Sequence, residues 1–116
     1  MRFQDKVAVI TAGGAGIGKA TAEIMVREGA TVIVIDVDVA RLEAMADALA
    51  SAPGKLVTKM LDATDEALVR GSVGEIAATH GHIDILVNAV GGSTIIASPG
   101  AKVDELSFDQ FRKIFI

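Results

Sequence analysis

A chain of 116 residues is long enough for one domain with a real core, and its 51% hydrophobic content predicts that most of it is buried. The net charge of −4, with both signs scattered, and the aromatic content of 3% argue against nucleic acid as a partner. The absence of cysteine excludes a disulfide framework and thiol catalysis, and it agrees with a reducing compartment.

Neither a targeting segment nor a metal site is predicted. The N-terminus, MRFQDKVAVI, places an acid at Asp5 and lacks a long apolar core, and no apolar run approaches the roughly 20 residues of a membrane span. We therefore expect a cytoplasmic protein with no membrane association. His80 and His82 flank Gly81 and are expected to be solvated turn residues, because a metal site needs more ligands.

The first half of the chain alternates strand and helix. Residues 6–12 are predicted as a buried strand, and residues 31–35 as a second one, apolar on both faces and closed by Asp36. Between them a helix is expected over residues 17–28, with Gly29 as its cap. Its apolar positions recur at helical spacing: Ile17, Ala20, Ala22, Ile24, Met25 and Val26.

The second half continues this alternation. A helix over residues 39–50 is followed by a strand over 55–61, closed by Asp62, and a further strand covers 83–88. Thr64 is predicted to cap a helix that stops at Gly81. A Gly/Ser/Pro-rich loop over 89–104 precedes the start of another helix at 106–116. Inward positions are predicted at Leu42, Met45, Ala46 and Leu49, and then at Ala67, Leu68, Val73, Ile76 and Ala77.

This alternation, without linker or repeat, predicts one α/β domain over residues 1–116. Its expected architecture is a Rossmann-like three-layer αβα fold with a parallel sheet of about four strands. In such a sheet the ligand lies across the carboxyl ends of the strands, where their order reverses. The positions after the four strands are a glycine turn, Asp36, Asp62 and Asn88, and all of them are small or polar.

The stretch VAVITAGGAGIG, residues 7–18, joins a strand through glycines to a helix start and predicts a phosphate site. A plain tight turn is the alternative. Asp36 can accept hydrogen bonds from both ribose hydroxyls and would repel a 2′-phosphate, or it is a solvated acid. Asp62 can contact an adenine amino group or merely start the next turn. Asn88 can tie strand ends together or line the pocket.

Two motifs resemble those of the short-chain dehydrogenase/reductase family. The run TAGGAGIG, residues 11–18, is similar to its Thr-Gly-x-x-x-Gly-x-Gly turn, and DILVNAVG, residues 84–91, to its strand ending in Asn-Asn-Ala-Gly. The resemblance implies alcohol–ketone interconversion with a nicotinamide dinucleotide. NAD is expected rather than NADP, because Asp36 is followed by Val37 and no Arg or Lys lies in the turn. The implied cofactor residues are Gly13, Gly14, Ala15, Gly16, Ile17, Gly18, Asp36, Val37, Asp62, Ala63, Asn88, Ala89, Val90 and Gly91.

The chain also departs from the family pattern. Ala12 replaces the first glycine, which is tolerable if its φ is negative, and Ala89 and Val90 replace an Asn and an Ala. The family's Ser and Tyr-x-x-x-Lys are missing, and the chain contains no tyrosine, so we nominate no catalytic residue. The sequence resembles the truncated cofactor-binding half of an oxidoreductase, and an alcohol or ketone substrate is expected only in a full-length parent.

Two other functions are possible at this point. The chain can be a module that holds NAD or another adenine nucleotide without turnover, or a methyltransferase-like domain that binds adenosylmethionine. The fourth strand is expected to lie at an edge of the sheet, with apolar surface exposed, and this predicts self-association.

Overall fold

The computed structural model describes residues 1–89, and they form a parallel sheet with helices on both faces. In chain order the elements are β1 (Val7–Thr11), α1 (Gly16–Arg27), β2 (Thr31–Asp36), α2 (Val39–Ala48), β3 (Lys55–Met60), α3 (Glu66–His80) and β4 (Ile85–Asn88). The α/β, Rossmann-like class is therefore confirmed. The helix start predicted at 106–116 and the loop after Ala89 lie outside the described residues, so a single domain over 1–116 stays a prediction.

The strands run in the order β3-β2-β1-β4, all parallel. From β1 the chain builds outward to β2 and β3, and then crosses back to place β4 on the other side of β1. Thr11, the last residue of β1, pairs with Ile35 of β2 and with Asn88 of β4. The order therefore reverses between β1 and β4, and a crevice is expected at their carboxyl ends.

Alternate residues of the central strands enter two separate cores, as the period of two in a strand requires. On one face Ala8 and Ile10 of β1 pack with α1 and α2, whereas on the other face Val9 packs near Ile76 of α3. Both faces of β1 and β2 are thus covered, which explains their continuous apolar sequence. The first core consists of Ala8, Ile10, Ala22, Met25, Val26, Ala30, Val32, Val34, Leu42, Met45 and Leu49.

The predicted inner face of α3 is wrong in large part. Ile76 is 2% exposed, but Leu68 is 50% and Val73 41% exposed. Ala67 and Ala77 are exposed as well. The helix packs on the sheet through Ile76, whereas nearer its start a cavity of about 310 Å³ separates it from Val9 and Leu86.

The other helices need smaller corrections. In α1 the buried stripe is Gly18, Ala22, Met25 and Val26, so the predicted inward positions Ile17, Ala20 and Ile24 lie on its exposed flank. In α2, Ala46 is exposed beside the buried Met45, because neighbours on a helix point about 100° apart. Helix α2 ends at Ala48, two residues early, and β4 begins at Ile85 rather than at 83.

Of the caps predicted for α3, one is confirmed and one is wrong. Asp38 caps α2, and Gly81 ends α3 as predicted, with φ +81°, the left-handed conformation that glycine adopts freely. The cap of α3 is Asp65, whose side chain accepts from the Leu68 N–H at 3.2 Å. The prediction of Thr64 was wrong because its hydroxyl and N–H both donate to Asp62 instead.

Candidate functional site

The turn between β1 and α1 packs so closely that side chains are excluded from it. A Cβ at Gly18 would lie 2.6 Å from the Ala12 carbonyl oxygen, and one at Gly13 would lie 2.6 Å from Val34 Cγ1. Gly13 also donates its N–H to the Ile35 carbonyl of β2 at 3.2 Å. Glycine at these positions therefore lets the start of α1 sit directly over the end of β1.

Helix α1 begins without a side-chain cap. Its N-cap residue, Ala15, offers no acceptor, and no acid lies in the first turn. By contrast, α2 and α3 have the capping carboxylates of Asp38 and Asp65. A Cβ at Gly16 would meet no atom within 4 Å, so the helix start opens into free space. Its first N–H groups are thus available to an anion, which the helix dipole also favours.

Asp36 is a buried structural anchor of this turn as well as a strand-end acid. Its side chain is 7% exposed; Oδ2 accepts from the Gly14 N–H and Oδ1 from the Asp38 N–H, both at 2.9 Å. A carboxylate has about four acceptor positions, and the N–H groups of Gly14 and Asp38 take two of those of Asp36. The alternative of a merely solvated acid is therefore wrong.

Thr11 links the ends of β1 and β4. Its hydroxyl donates to Asn88 Oδ1 at 2.8 Å and accepts from the Ala89 N–H at 3.2 Å. Asn88 therefore ties strand ends together, which was one of its two predicted roles. Thr11 was not among the predicted cofactor residues, although its place at the end of a strand opposite Asn88 was a usable signal.

These elements surround a cavity of about 580 Å³ at the crevice between β1 and β4. It brings together predicted residues from the glycine turn, from the end of β2 and from the end of β4. Gly13 and Gly14 are buried and do not line the cavity, and Val90 and Gly91 lie outside the described residues. Ala12, Arg41 and Val87 also line the cavity and were not among the predicted cofactor residues. The lining residues are Ala12, Ala15, Gly16, Ile17, Gly18, Asp36, Val37, Arg41, Val87, Asn88 and Ala89.

A smaller cavity of about 200 Å³ adjoins the first at the end of β2. Ala12, Asp36 and Val37 line both, and the smaller one adds Asp62 and Ala63. The predicted contacts at the ends of β2 and β3 therefore lie on one continuous surface.

The carboxyl of Asp62 is fully exposed, yet its pKa is lowered below the usual value. The largest cause is the Thr64 hydroxyl, which donates to Oδ1 at 2.7 Å; the Thr64 N–H follows at 2.9 Å. Both bonds favour the charged form. Because the folded-state pKa is the depressed one, this stabilisation is present above the unfolded pKa and is lost as pH falls through the folded value.

Thr64→Val is expected to raise the pKa of Asp62 toward its usual value, since the hydroxyl is the larger cause. The measurement is an NMR titration of the carboxyl carbon. Thr79→Val, on the exposed side of α3, should leave the titration unchanged. An equal Asp62 pKa in the Thr64 variant would show that the backbone N–H alone sets it.

Ala12 has φ +53°, so the condition under which alanine would be tolerable at this position, a negative φ, is not met. The turn forces the left-handed conformation on a residue with a Cβ, which costs about 1–2 kcal/mol. Ala12→Gly is therefore expected to raise the free energy of unfolding by about 0.5–1 kcal/mol, after the greater freedom of glycine in the unfolded chain is subtracted.

Urea unfolding checks this expectation. The matched control is Ala20→Gly, because Ala20 is exposed in the interior of α1, where glycine lowers stability by about 1 kcal/mol. A rise in the free energy of unfolding for Ala12→Gly together with a fall for Ala20→Gly would support backbone strain at Ala12. A loss of stability at both would contradict it.

Within residues 1–89 no cluster of three or more metal-ligating side chains is found, and no helix of that part is both long and apolar enough to cross a membrane. His82 is half exposed, and its Nε2 lies 3.0 Å from Asp84 Oδ2. Asp84 in turn accepts from the Val7 N–H at 2.8 Å. His82 is therefore partly solvated, as expected, but it also contacts the carboxylate of Asp84.

The parallel sheet, the order reversal beside β1 and the glycine turn together define a Rossmann-like domain. A profile described as short chain dehydrogenase matches residues 6–116, and the chain belongs to that family. An uncharacterized oxidoreductase, YxbG of Bacillus subtilis, is 38% identical over 113 residues, which are 97% of this chain and 40% of the relative.

Solved structures of this family share the fold. A metagenomic short-chain oxidoreductase in complex with NADP superposes with TM-score 0.76 at 25% identity, covering 98% of this chain and 50% of the other. An NAD+-bound xylitol dehydrogenase gives TM-score 0.73 at 26% identity, covering 98% and 42%. The chain thus spans half or less of the length of these proteins. The family binds nicotinamide cofactors, and the relatives include both NAD and NADP complexes.

Proposed function

We propose that this chain binds the adenosine and pyrophosphate parts of NAD at the carboxyl ends of β1, β2 and β3. The observation that carries the proposal is the uncapped start of α1, which opens into the 580 Å³ cavity beside the Asp36 carboxylate. Backbone N–H groups in the first turn of α1, from Gly16 onward, would hold the pyrophosphate. The cofactor residues are those predicted from the sequence, including Val90 and Gly91.

The adenosine end supports NAD over NADP. Asp36 keeps two acceptor positions for ribose hydroxyls, and its negative charge would repel a 2′-phosphate. Val37, 63% exposed beside it, brings no compensating charge. Asp62 and Ala63 line the adjoining cavity, where an adenine amino group can donate to a carboxylate.

The nicotinamide end would lie toward Asn88 and Ala89. The Thr11 hydroxyl donates to the Asn88 side chain, so we assign to Asn88 the role of holding the end of β4 in place. The backbone after Asn88 would line the pocket. The bound dinucleotide supplies hydride transfer between an alcohol and a ketone. No residue of this sequence is assigned to the accompanying proton transfer, and the alcohol or ketone is proposed for a longer parent protein.

Calorimetric titration with NADH and NADPH tests the proposal. We expect saturable NADH binding that Asp36→Asn weakens on the order of tenfold or more, because the charge-assisted ribose bonds become weaker and the amide NH2 also faces the N–H of Gly14 or of Asp38, which the carboxylate accepts. Asp47→Asn is the control, since Asp47 is exposed on α2 and does not line the cavity. Absence of NADH binding by a folded chain, or its displacement by adenosylmethionine, would overturn the proposal.

A second candidate function is a module that binds the nucleotide without turnover. The lining of the 580 Å³ cavity favours it, because we assign none of these residues to proton transfer. Oxidation of bound NADH by added ketones, with no partner chain present, would contradict it.

We also propose self-association, supported by the edge position of β4 among residues 1–89 and by Leu86, which is 68% exposed. Sedimentation of the chain at tens of micromolar is expected to show dimers or larger species. A monomer at these concentrations would contradict self-association. A cytoplasmic location likewise remains a proposal.

A further inference from the structure

Arg41 brings a positive charge to the wall of the 580 Å³ cavity, where the residues from the glycine turn, β2 and β4 bring none. It lies in the first turn of α2, and its Cβ would be 3.0 Å from a Cβ built at Gly14. The stem of Arg41 therefore packs against the glycine turn. Its side chain is 54% exposed, so the guanidinium can reach a ligand on this wall.

Asp38 restrains this guanidinium. Asp38 Oδ2 lies 3.4 Å from Arg41 Nε, and Asp38 Oδ1 accepts from the Arg41 backbone N–H at 3.2 Å. The backbone of Asp38 is itself fixed, since its N–H donates to Asp36 Oδ1 at 2.9 Å. A continuous chain of contacts thus runs from the buried carboxylate of Asp36 through Asp38 to Arg41.

The carboxylates of Asp36 and Asp38 would repel a 2′-phosphate, whereas the guanidinium of Arg41 would attract it. Asp36 repels such a group, whereas a free arginine beside it would bind it with two parallel hydrogen bonds. The Asp38 carboxylate, 3.4 Å from the Nε of Arg41, offsets part of the guanidinium charge and holds the side chain on the Asp38 side of the helix.

We propose that Asp38, by holding Arg41, is a specificity-determining residue that strengthens the rejection of a 2′-phosphate on the adenosine ribose. This inference rests on the proposed function of the same cavity. It assigns cofactor discrimination to the first turn of α2 as well as to the end of β2.

The test uses two small probes that differ only by the 2′-phosphate: adenosine 5′-monophosphate and adenosine 2′,5′-bisphosphate. Asp38→Asn removes the charge but keeps a good helix cap, and Arg41→Gln keeps a long polar side chain without charge. We expect Asp38→Asn to tighten binding of the bisphosphate about threefold, the size of one exposed ion pair, and to leave the monophosphate unchanged. Adding Arg41→Gln should abolish this gain.

Each other outcome has a defined meaning. If the gain persists in the double variant, the lost charge of Asp38 acts directly and the role of Arg41 is overturned. If the monophosphate binds but Asp38→Asn changes nothing, this inference fails while the proposed function stands. If neither probe nor NADH binds to the folded chain, both fail. Asp38→Ser, a cap without charge, repeats the test with a different side chain.

Discussion

Gly54→Ala is expected to lower the free energy of unfolding by on the order of 3 kcal/mol, a large effect for a single methyl group. The new Cβ would overlap the carbonyl oxygen of Ala30 and lie 2.5 Å from that of Val26. Both neighbours are backbone, so no side chain can rotate away. The Val26 carbonyl accepts from the Gly54 N–H at 2.8 Å, and the Ala30 carbonyl accepts from the Lys55 N–H at 2.9 Å. A backbone shift at Gly54 would therefore weaken the hydrogen bonds that begin β3.

Urea unfolding measures this effect, and Gly71→Ala is the matched control. Gly71 lies inside α3, and a Cβ there meets no atom within 4 Å. Alanine should therefore stabilise the helix by about 1 kcal/mol. If both variants changed the free energy of unfolding by a similar amount in the same direction, the close contact of Gly54 with the carbonyls of Val26 and Ala30 would not be the cause of the effect.

Gly18→Ala should weaken NADH binding on the order of tenfold or more. The added Cβ would lie 2.6 Å from the Ala12 carbonyl oxygen and 3.0 Å from Gly13 Cα. The start of α1 must therefore move away from the turn, and N–H groups that are to bind one pyrophosphate would no longer converge.

Calorimetric titration of NADH checks this result, with circular dichroism to establish that the variant is folded. Gly74→Ala is the control, because a Cβ at Gly74 meets no atom within 4 Å and Gly74 does not line the cavity. Wild-type affinity in a folded Gly18 variant would contradict the role of the glycine turn.

The strand ends and the helix start that form the candidate site could be predicted from the sequence, because they depend on local patterns. Strand ends fall where apolar runs stop, which located Asp36, Asp62 and Asn88, and the glycine spacing located the start of α1 within one residue. Two short motifs and the regular alternation were then sufficient for the fold and the family.

The contacts among these residues depend on tertiary geometry and could not be predicted. Asp36 bonds to Gly14 because the end of β2 lies beside the turn, and Ala12 takes a positive φ because that turn must close. Arg41 reaches the cavity from a helix that the sequence placed correctly. Its three-residue spacing from Asp38 was the available signal, since such pairs share a helix face.

The position of the bound dinucleotide is the central claim, and NMR of the ¹⁵N-labelled chain during titration with NADH tests it most directly. We predict that the largest amide shifts fall at Gly16, Ile17 and Gly18, which line the cavity, with further shifts at Val37 and Ala89, while Gly71 and Gly74 of α3 change little. Shifts concentrated on α3, or none at saturating NADH, would contradict a nucleotide site at the ends of β1 and β2.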